Sequence, residues 1–353
     1  MFIASVGTAT PESHYSQREC WEALAACPLY AQLSRRSHVI LKKVLLGNNG
    51  VSGRYLALDP LAEAFDINPD ALHGRFARHA PSLATAAAKD ALSQLGMDAN
   101  EVDGLVVSTC TGYLCPGLTS YVSERLGLRN NALLLDLVGQ GCGAALPNLK
   151  TADGLIRSGQ CDRVLSVCVE VCSAAFYLDD DPGVLISACL FGDGAGAAVL
   201  SRAPVPGQRA IEWLDFETLL CAADREFLRF DHQGGMLRNV LAPEVPEKAA
   251  GHAARVLELV LKRHGVEQND VVQWITHAGG REVLGAIGKE LGLKREAFQY
   301  SWDVLDVHGN LSSPFVLFVL KRALEAEAPG GLWWLNSFGA GFTSHGALLK
   351  AAD

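Results

Sequence analysis

Apolar positions along this chain come in two lengths. Short strand-length runs, such as residues 104–108 (GLVVS) and 163–169 (RVLSVCV), alternate with longer Ala- and Leu-rich stretches that have helical spacing. That alternation predicts an α/β fold. The same order of elements occurs twice. In the first half VDGLVV (102–107) is followed by ERLGLR (124–129) and GCGAALP (141–147). In the second, VVQWIT (271–276) is followed by KELGLK (289–294), GNLSSP (309–314) and the strand-like GLWWL (331–335).

The offset between matching segments holds at about 165 to 170 residues, which reads as an internal duplication with halves at 1–205 and 206–353. The repeat puts Cys142 and Asn310 at equivalent turns, each leading into a helix. A pseudo-twofold axis would bring the turns together, so one active site between the halves is expected.

Composition narrows the possibilities. Of 353 residues 49% are hydrophobic and 20% charged, which fits a compact globular protein rather than a disordered chain. No apolar stretch reaches the roughly 18 residues of a membrane span. The opening MFIASVG lacks a basic segment before an apolar one, so no export signal is read and the cytoplasm is expected. A net charge of -9 without a basic stripe argues against nucleic acid. Ten cysteines occur without a CxxC pair, so neither a zinc motif nor a disulfide framework is legible, and most are expected to be small core residues.

Cys142 is the exception by position. It lies where the run DLV (136–138) gives way through glycines to a helical segment with Pro147 in its first turns. A helix N-terminus there is expected to stabilise a thiolate and lower the thiol pKa, while the flanking glycines let a carbonyl approach backbone N–H donors. His277, in THAGG (276–280), directly follows a predicted strand of the second half, where α/β sites gather, and an imidazole suits proton exchange with a thiol. His308 competes for that role. Asn310 has the spacing of a helix N-cap, but its match to Cys142 also suits an amide donor to a thioester oxygen. No metal is needed for such chemistry. The glycine-rich stretches FGDGAG (191–196) and FGAGF (338–342) lack a Walker lysine, so nucleotide hydrolysis is rejected.

Taken together, GQGCGAA around Cys142, THAGG around His277 and HGNLSS around Asn310 resemble the Cys, His and Asn motifs of the type III polyketide synthases of the chalcone synthase superfamily. LFGDGA around Phe191 is similar to that family's gatekeeper motif, and SFGAGF (337–342) to its C-terminal glycine-rich loop. The resemblance implies the thiolase fold, five layers αβαβα from two duplicated halves. It implies a homodimer that uses acyl-CoA and malonyl-CoA directly and binds no cofactor. The implied reaction loads a starter on Cys142, decarboxylates malonyl-CoA under His277 and Asn310, and condenses the enolate with the Cys142 thioester. A pyrone, resorcinol or phloroglucinol would follow.

The resemblance also implies a pocket lined by Phe191, Cys110, Cys115, Cys172, Leu237, Ser312, Gly339 and Gly341, with Cys115 serving the partner's pocket. Leu237 and Arg238 stand near the family's second gatekeeper and neither is aromatic, so an aliphatic starter is expected. Cys110 replaces a threonine common in the plant enzymes. Lys42, Lys43 and Arg54 form a basic stretch that could meet coenzyme A phosphates. Two other chemistries use the same residues. One is a ketosynthase or pyrone synthase fed by acyl carrier protein; the other is a cysteine thioester hydrolase, for which a gated pocket has no use.

Overall fold

The computed structural model describes residues 1–353. Thirteen strands are β1 (Phe2–Ala9), β2 (His14–Ser16), β3 (Gly53–Tyr55), β4 (Gly104–Thr109), β5 (Leu133–Val138), β6 (Arg163–Glu170) and β7 (Gly194–Ser201) in the first half. The second half holds β8 (Ile211–Leu220), β9 (Leu228–Gln233), β10 (Met236–Leu241), β11 (Val271–Thr276), β12 (Gly331–Gly339) and β13 (Thr343–Ala351). Nine of them join in the order β11-β12-β13-β8-β1-β7-β6-β4-β5, while β2 with β3 and β9 with β10 form two small antiparallel ribbons.

The duplication is visible in the pairing. Strands β4 and β6 are parallel, β6 and β7 antiparallel, and β7 and β1 antiparallel. In the second half β11 and β12 are parallel, β12 and β13 antiparallel, and β13 and β8 antiparallel. Strand pairing joins the halves at only two positions, Phe2 with Glu212 and Ile3 with Ile211. The symmetry fails at one place: where the repeat would put a counterpart of β5, the chain forms the helix Gln299–His308. Its buried residues Tyr300, Ser301, Val304 and Leu305 recur at helical spacing, whereas β5 is an unbroken LLLDLV.

Helices make the remaining layers. Ala145–Arg157 packs on β4, β6 and β7 and also on β12 and β13, and Phe315–Glu325 packs on β1 and β7 and also on β11 and β12. Both therefore lie between the two halves' sheets. The second helix is apolar nearly all round, with Phe315 through Leu320 all buried, as a central layer requires. Pro69–Ser93 covers the outer face of the first half. Its alanines sit so close to β1 that a Cβ on Gly7 would lie 2.3 Å from the Ala87 carbonyl oxygen. Val245–His264 covers the outer face of the second half, along β8 and β13. This is the αβαβα arrangement of the thiolase fold. One cluster of 53 buried residues runs through the middle and second-half layers, so the halves share a core. No helix is long and apolar enough to cross a membrane.

Candidate active site

Two left-handed glycines, Gly139 (φ 81°) and Gly141 (φ 56°), turn the chain from the end of β5 into a short 3-10 turn, Gly141–Gly143, that carries Cys142 to the head of the helix Ala145–Arg157. The C-terminal glycine-rich segment packs directly on this turn. Ser337 Oγ donates to the Gly143 carbonyl at 3.0 Å, and a Cβ on Gly339 would lie 2.5 Å from both the Gln140 oxygen and the Gly143 nitrogen. Only glycine permits that approach. Gly341 also holds a positive φ, of 132°.

The equivalent turn of the second half brings Asn310 to the same place. Its side chain is held at both ends: Oδ1 accepts the Ser312 N–H at 2.8 Å, and Nδ2 donates to the Gly279 carbonyl at 3.2 Å. One Nδ2 hydrogen is left over. Ser312 takes a left-handed conformation, φ 59°, and its hydroxyl donates to Cys142 Sγ at 3.3 Å. The Cys142 and Asn310 turns thus touch across the pseudo-twofold axis, through Ser312.

His277 follows β11, its N–H bonded to the Asn336 carbonyl at 2.9 Å, and it is fully buried. The rings of Phe315 and Phe338 flank the imidazole at 5.3 and 5.0 Å, and neither ring nitrogen has a hydrogen-bond partner within the chain. Burial lowers its pKa to about 3. His308, the competitor, instead stacks on Tyr55 and lies edge-on to Phe318; burial lowers it to about 4.

Electrostatics corrects one expectation. Burial pushes the Cys142 thiol up to about 12, and the Ser312 hydrogen bond opposes that rise without reversing it. Desolvation opposes ionisation because the charge would have to form in an apolar enclosure. Burial thus favours the neutral form of each group, the thiol of Cys142 and the imidazole of His277.

An apolar cleft opens beside Ser312, Phe191, Cys172 and Thr111 and extends to the helices Gln17–Ala26 and Arg35–Leu46, where Cys20, Leu24, Leu41 and Leu45 line it. It contains about 940 Å3 of empty space, part of it open to solvent. Nineteen of its 25 lining residues are hydrophobic, a surface suited to a hydrocarbon chain rather than a charged ligand. Phe191 caps the helix Pro182–Leu190 and faces this cleft, its backbone bridged to that of Asn310.

The remaining anticipated residues divide. Cys110 is 3.5 Å from Ser312 Oγ and donates to Glu170, so it stands beside the Cys142 turn. Cys115 is exposed and lines no part of the cleft. Leu237 is also outside it. On that hairpin Phe230 and its cross-strand partner Asn239 form the wall, and Leu237 lies two residues nearer the turn. Lys42 and Lys43 are exposed on the helix Arg35–Leu46. Arg54 is not a surface cation: it is buried, and its Nη1 donates to the Ala188 and Phe191 carbonyls at 2.9 and 2.8 Å. Tied to backbone, it braces the Phe191 loop and is not free for phosphate.

Glu170 escaped notice in the sequence. Fully buried at the end of β6, it accepts from the N–H groups of Cys110 and Thr111 at 2.9 and 3.1 Å and from Ser313 Oγ at 2.5 Å. Burial raises its pKa, with these donors pulling the other way. It locks the Cys110 loop to the Asn310 turn. A carboxylate ending a strand that is apolar but for Arg163 and Ser166 was the available signal.

The N-terminal domain of chalcone and stilbene synthases matches residues 66–204, and the C-terminal domain of the same enzymes matches residues 229–352. A 3,5-dihydroxyphenylacetyl-CoA synthase of Streptomyces toyocaensis is 28% identical, over 99% of this chain and 89% of its own length. An alpha-pyrone synthesis polyketide synthase-like protein of Mycobacterium tuberculosis is 29% identical, over 98% of this chain and 90% of its own. Among solved structures, PKS-I from the brown alga Ectocarpus siliculosus superposes with a TM-score of 0.91 at 25% identity, covering 99% of this chain and 98% of that one.

Proposed function

The chain belongs to the chalcone and stilbene synthase family, and from that premise we propose that it builds a short polyketide on Cys142 from an aliphatic acyl-CoA starter and malonyl-CoA. It is a type III polyketide synthase, an acyltransferase-type condensing enzyme. The observation that carries the finer reading is the meeting of the Cys142 and Asn310 turns at Ser312, a residue that also lines the apolar cleft.

Loading begins with attack of Cys142 Sγ on the starter thioester carbonyl. Because the thiol is raised and the imidazole lowered, the proton passes from Sγ to His277 as the bond forms, and then to the departing coenzyme A sulfur. Malonyl-CoA then loses carbon dioxide. The electron pair of the broken carbon–carbon bond becomes an enolate, whose oxygen is held by the free Nδ2 hydrogen of Asn310 and by His277. Its carbon attacks the Cys142 thioester, and Sγ leaves with a 3-ketoacyl-CoA as product. Phe191 closes the cleft over the reacting atoms. Coenzyme A thioesters are the only cosubstrates this sequence of steps uses.

A homodimer completes the reading. The sheet ends at β5, where Leu134, Leu135 and Val138 are exposed, and Tyr113 and Cys115 lie in the loop that leads past Asp136 to the same edge. An uncovered apolar edge strand invites a second copy. In that arrangement Cys115 reaches the partner's cleft. All ten cysteines are free, which suits a reducing compartment such as the cytoplasm.

The test is to incubate the purified enzyme with malonyl-CoA and a graded panel of acyl-CoA starters, following free coenzyme A and product masses. Masses that rise by decarboxylated malonyl units from medium or long aliphatic starters support the proposal. Turnover confined to aromatic starters, or to carrier-bound acyl groups, overturns the finer reading.

A further inference from the structure

Outside the active site, one cluster of metal-binding side chains has no part in the condensation. Cys221 follows β8, Asp224 lies in the 3-10 turn Ala222–Phe227, and His252 projects from the helix Val245–His264. One ligand atom from each lies within 4.8 Å of the others. We propose that Cys221, Asp224 and His252 bind a borderline-soft divalent cation of the zinc type, tying the end of β8 to the outer helix of the second half.

The donor set and spacing suit that ion. Thiolate, imidazole and carboxylate are the ligands zinc takes, and its bond lengths set tetrahedral edges of about 3.3 to 3.7 Å. His252 Nε2 and Asp224 Oδ2 already stand 3.6 Å apart. That separation is long for a hydrogen bond, and His252 Nδ1 is buried with no partner. Nothing in the chain therefore satisfies this imidazole. The turn is fixed by backbone, with the Cys221 N–H bonded to the Phe342 carbonyl at 2.8 Å and the Asp224 N–H to the Cys221 carbonyl at 2.9 Å.

Lys248 is the resident cation, its Nζ 3.1 Å from Asp224 Oδ1. It engages the other carboxylate oxygen, leaving Oδ2 free for the metal. Binding releases the Cys221 thiol proton to solvent, so affinity rises with pH. The site also touches the condensing centre through rings. His252 lies 5.3 Å from Phe342, Phe342 stacks 6.2 Å from Phe338, and Phe338 lies 5.0 Å from His277.

The experiment uses the full chain, stripped with chelator and titrated with Zn2+ and with Co2+. Expected are one metal per chain by elemental analysis, a rise in Tm with Zn2+, and a sulfur-to-cobalt charge-transfer band with Co2+. Cys221→Ser, nearly isosteric, and His252→Ala should each weaken binding by more than about 100-fold, since loss of an outer-shell partner alone costs 10- to 100-fold. Both should abolish the Co2+ band. Cys27→Ser, at a half-buried thiol with no part in either site, should leave the band intact. No thiolate band, or a band that survives Cys221→Ser, overturns the proposal.

Discussion

Ser312 Oγ donates to Cys142 Sγ across 3.3 Å from a residue held at φ 59°. The hydroxyl is the largest influence favouring ionisation of a thiol that burial otherwise raises. The backbone of Ser312 sits where glycine is at ease, so Ser312→Gly removes the hydroxyl without adding strain. Loss of a hydrogen bond to a charged group costs about 1.5 kcal/mol or more, so acyl loading should slow roughly tenfold. Burst formation of acyl-enzyme by intact mass would read this, and an unchanged burst rate would remove Ser312 from the proposed site.

Because burial favours the neutral thiol of Cys142, its alkylation by iodoacetamide should be slow at neutral pH and climb towards alkaline pH. Cys27, half-buried and outside the proposed dimer edge and cleft, should be modified first. Peptide mapping across pH 6 to 10 would check the order. A Cys142 labelling rate that is already at its plateau near pH 6 would mean that the thiolate is formed in the resting enzyme after all.

Asn310→Ala should separate the half-reactions. Deleting a preorganised donor to a developing oxyanion costs roughly 10²- to 10³-fold, and that loss should fall on carbon dioxide release from malonyl-CoA. Starter loading should change only severalfold. The reverse pattern would assign Asn310 to loading and leave the enolate without its donor.

How much of this was legible beforehand depends on whether a residue's partners are local. Cys142 and His277 stood out because each sits at a βα junction marked by glycines, and Asn310, which follows the helix Gln299–His308, stood out because the duplication aligned it with Cys142. The cleft wall did not stand out. Leu24 and Leu41 meet Cys189 only through contacts spanning more than a hundred residues, and nothing in residues 20–45 announces a cavity. Arg54 reads as a solvated cation until the Ala188 and Phe191 carbonyls arrive from a distant helix. The cluster of Cys221, Asp224 and His252 is hidden similarly, its histidine being supplied by a separate element. The helix Gln299–His308 shows the converse: there the local spacing overrode the repeat.

Buried histidines predict acid sensitivity. His277, His308 and His345 are lowered from 6.5 to about 3, 4 and 4 by burial, so the unfolded chain binds more protons than the folded one between roughly pH 4 and 6.5. Stability is full above pH 6.5 and is lost as pH falls through that window, by up to about 4 kcal/mol per pH unit for three protons. Glu170 and Asp193, raised by burial, oppose this at the acid end. Tm should drop steadily from pH 7 to 5, and His308→Phe should flatten the slope. An unchanged Tm over that range would refute the linkage.

The cleft makes a final prediction about substrate length. Leu24 lines its end at the helices Gln17–Ala26 and Arg35–Leu46, remote in sequence from every residue proposed to touch the reacting atoms. Leu24→Phe should shorten the space by the length of about two methylenes. Each buried methylene is worth about 0.8 kcal/mol, so starters that reach this end should lose roughly tenfold in kcat/KM. Short starters should keep theirs, because their carbonyl still meets an unchanged Cys142. Overpacking would cost about 1 to 3 kcal/mol of stability, which a Tm measurement separates from the kinetic effect. A loss equal for all chain lengths would show that the starter does not enter this cleft, and the aliphatic assignment would fall with it.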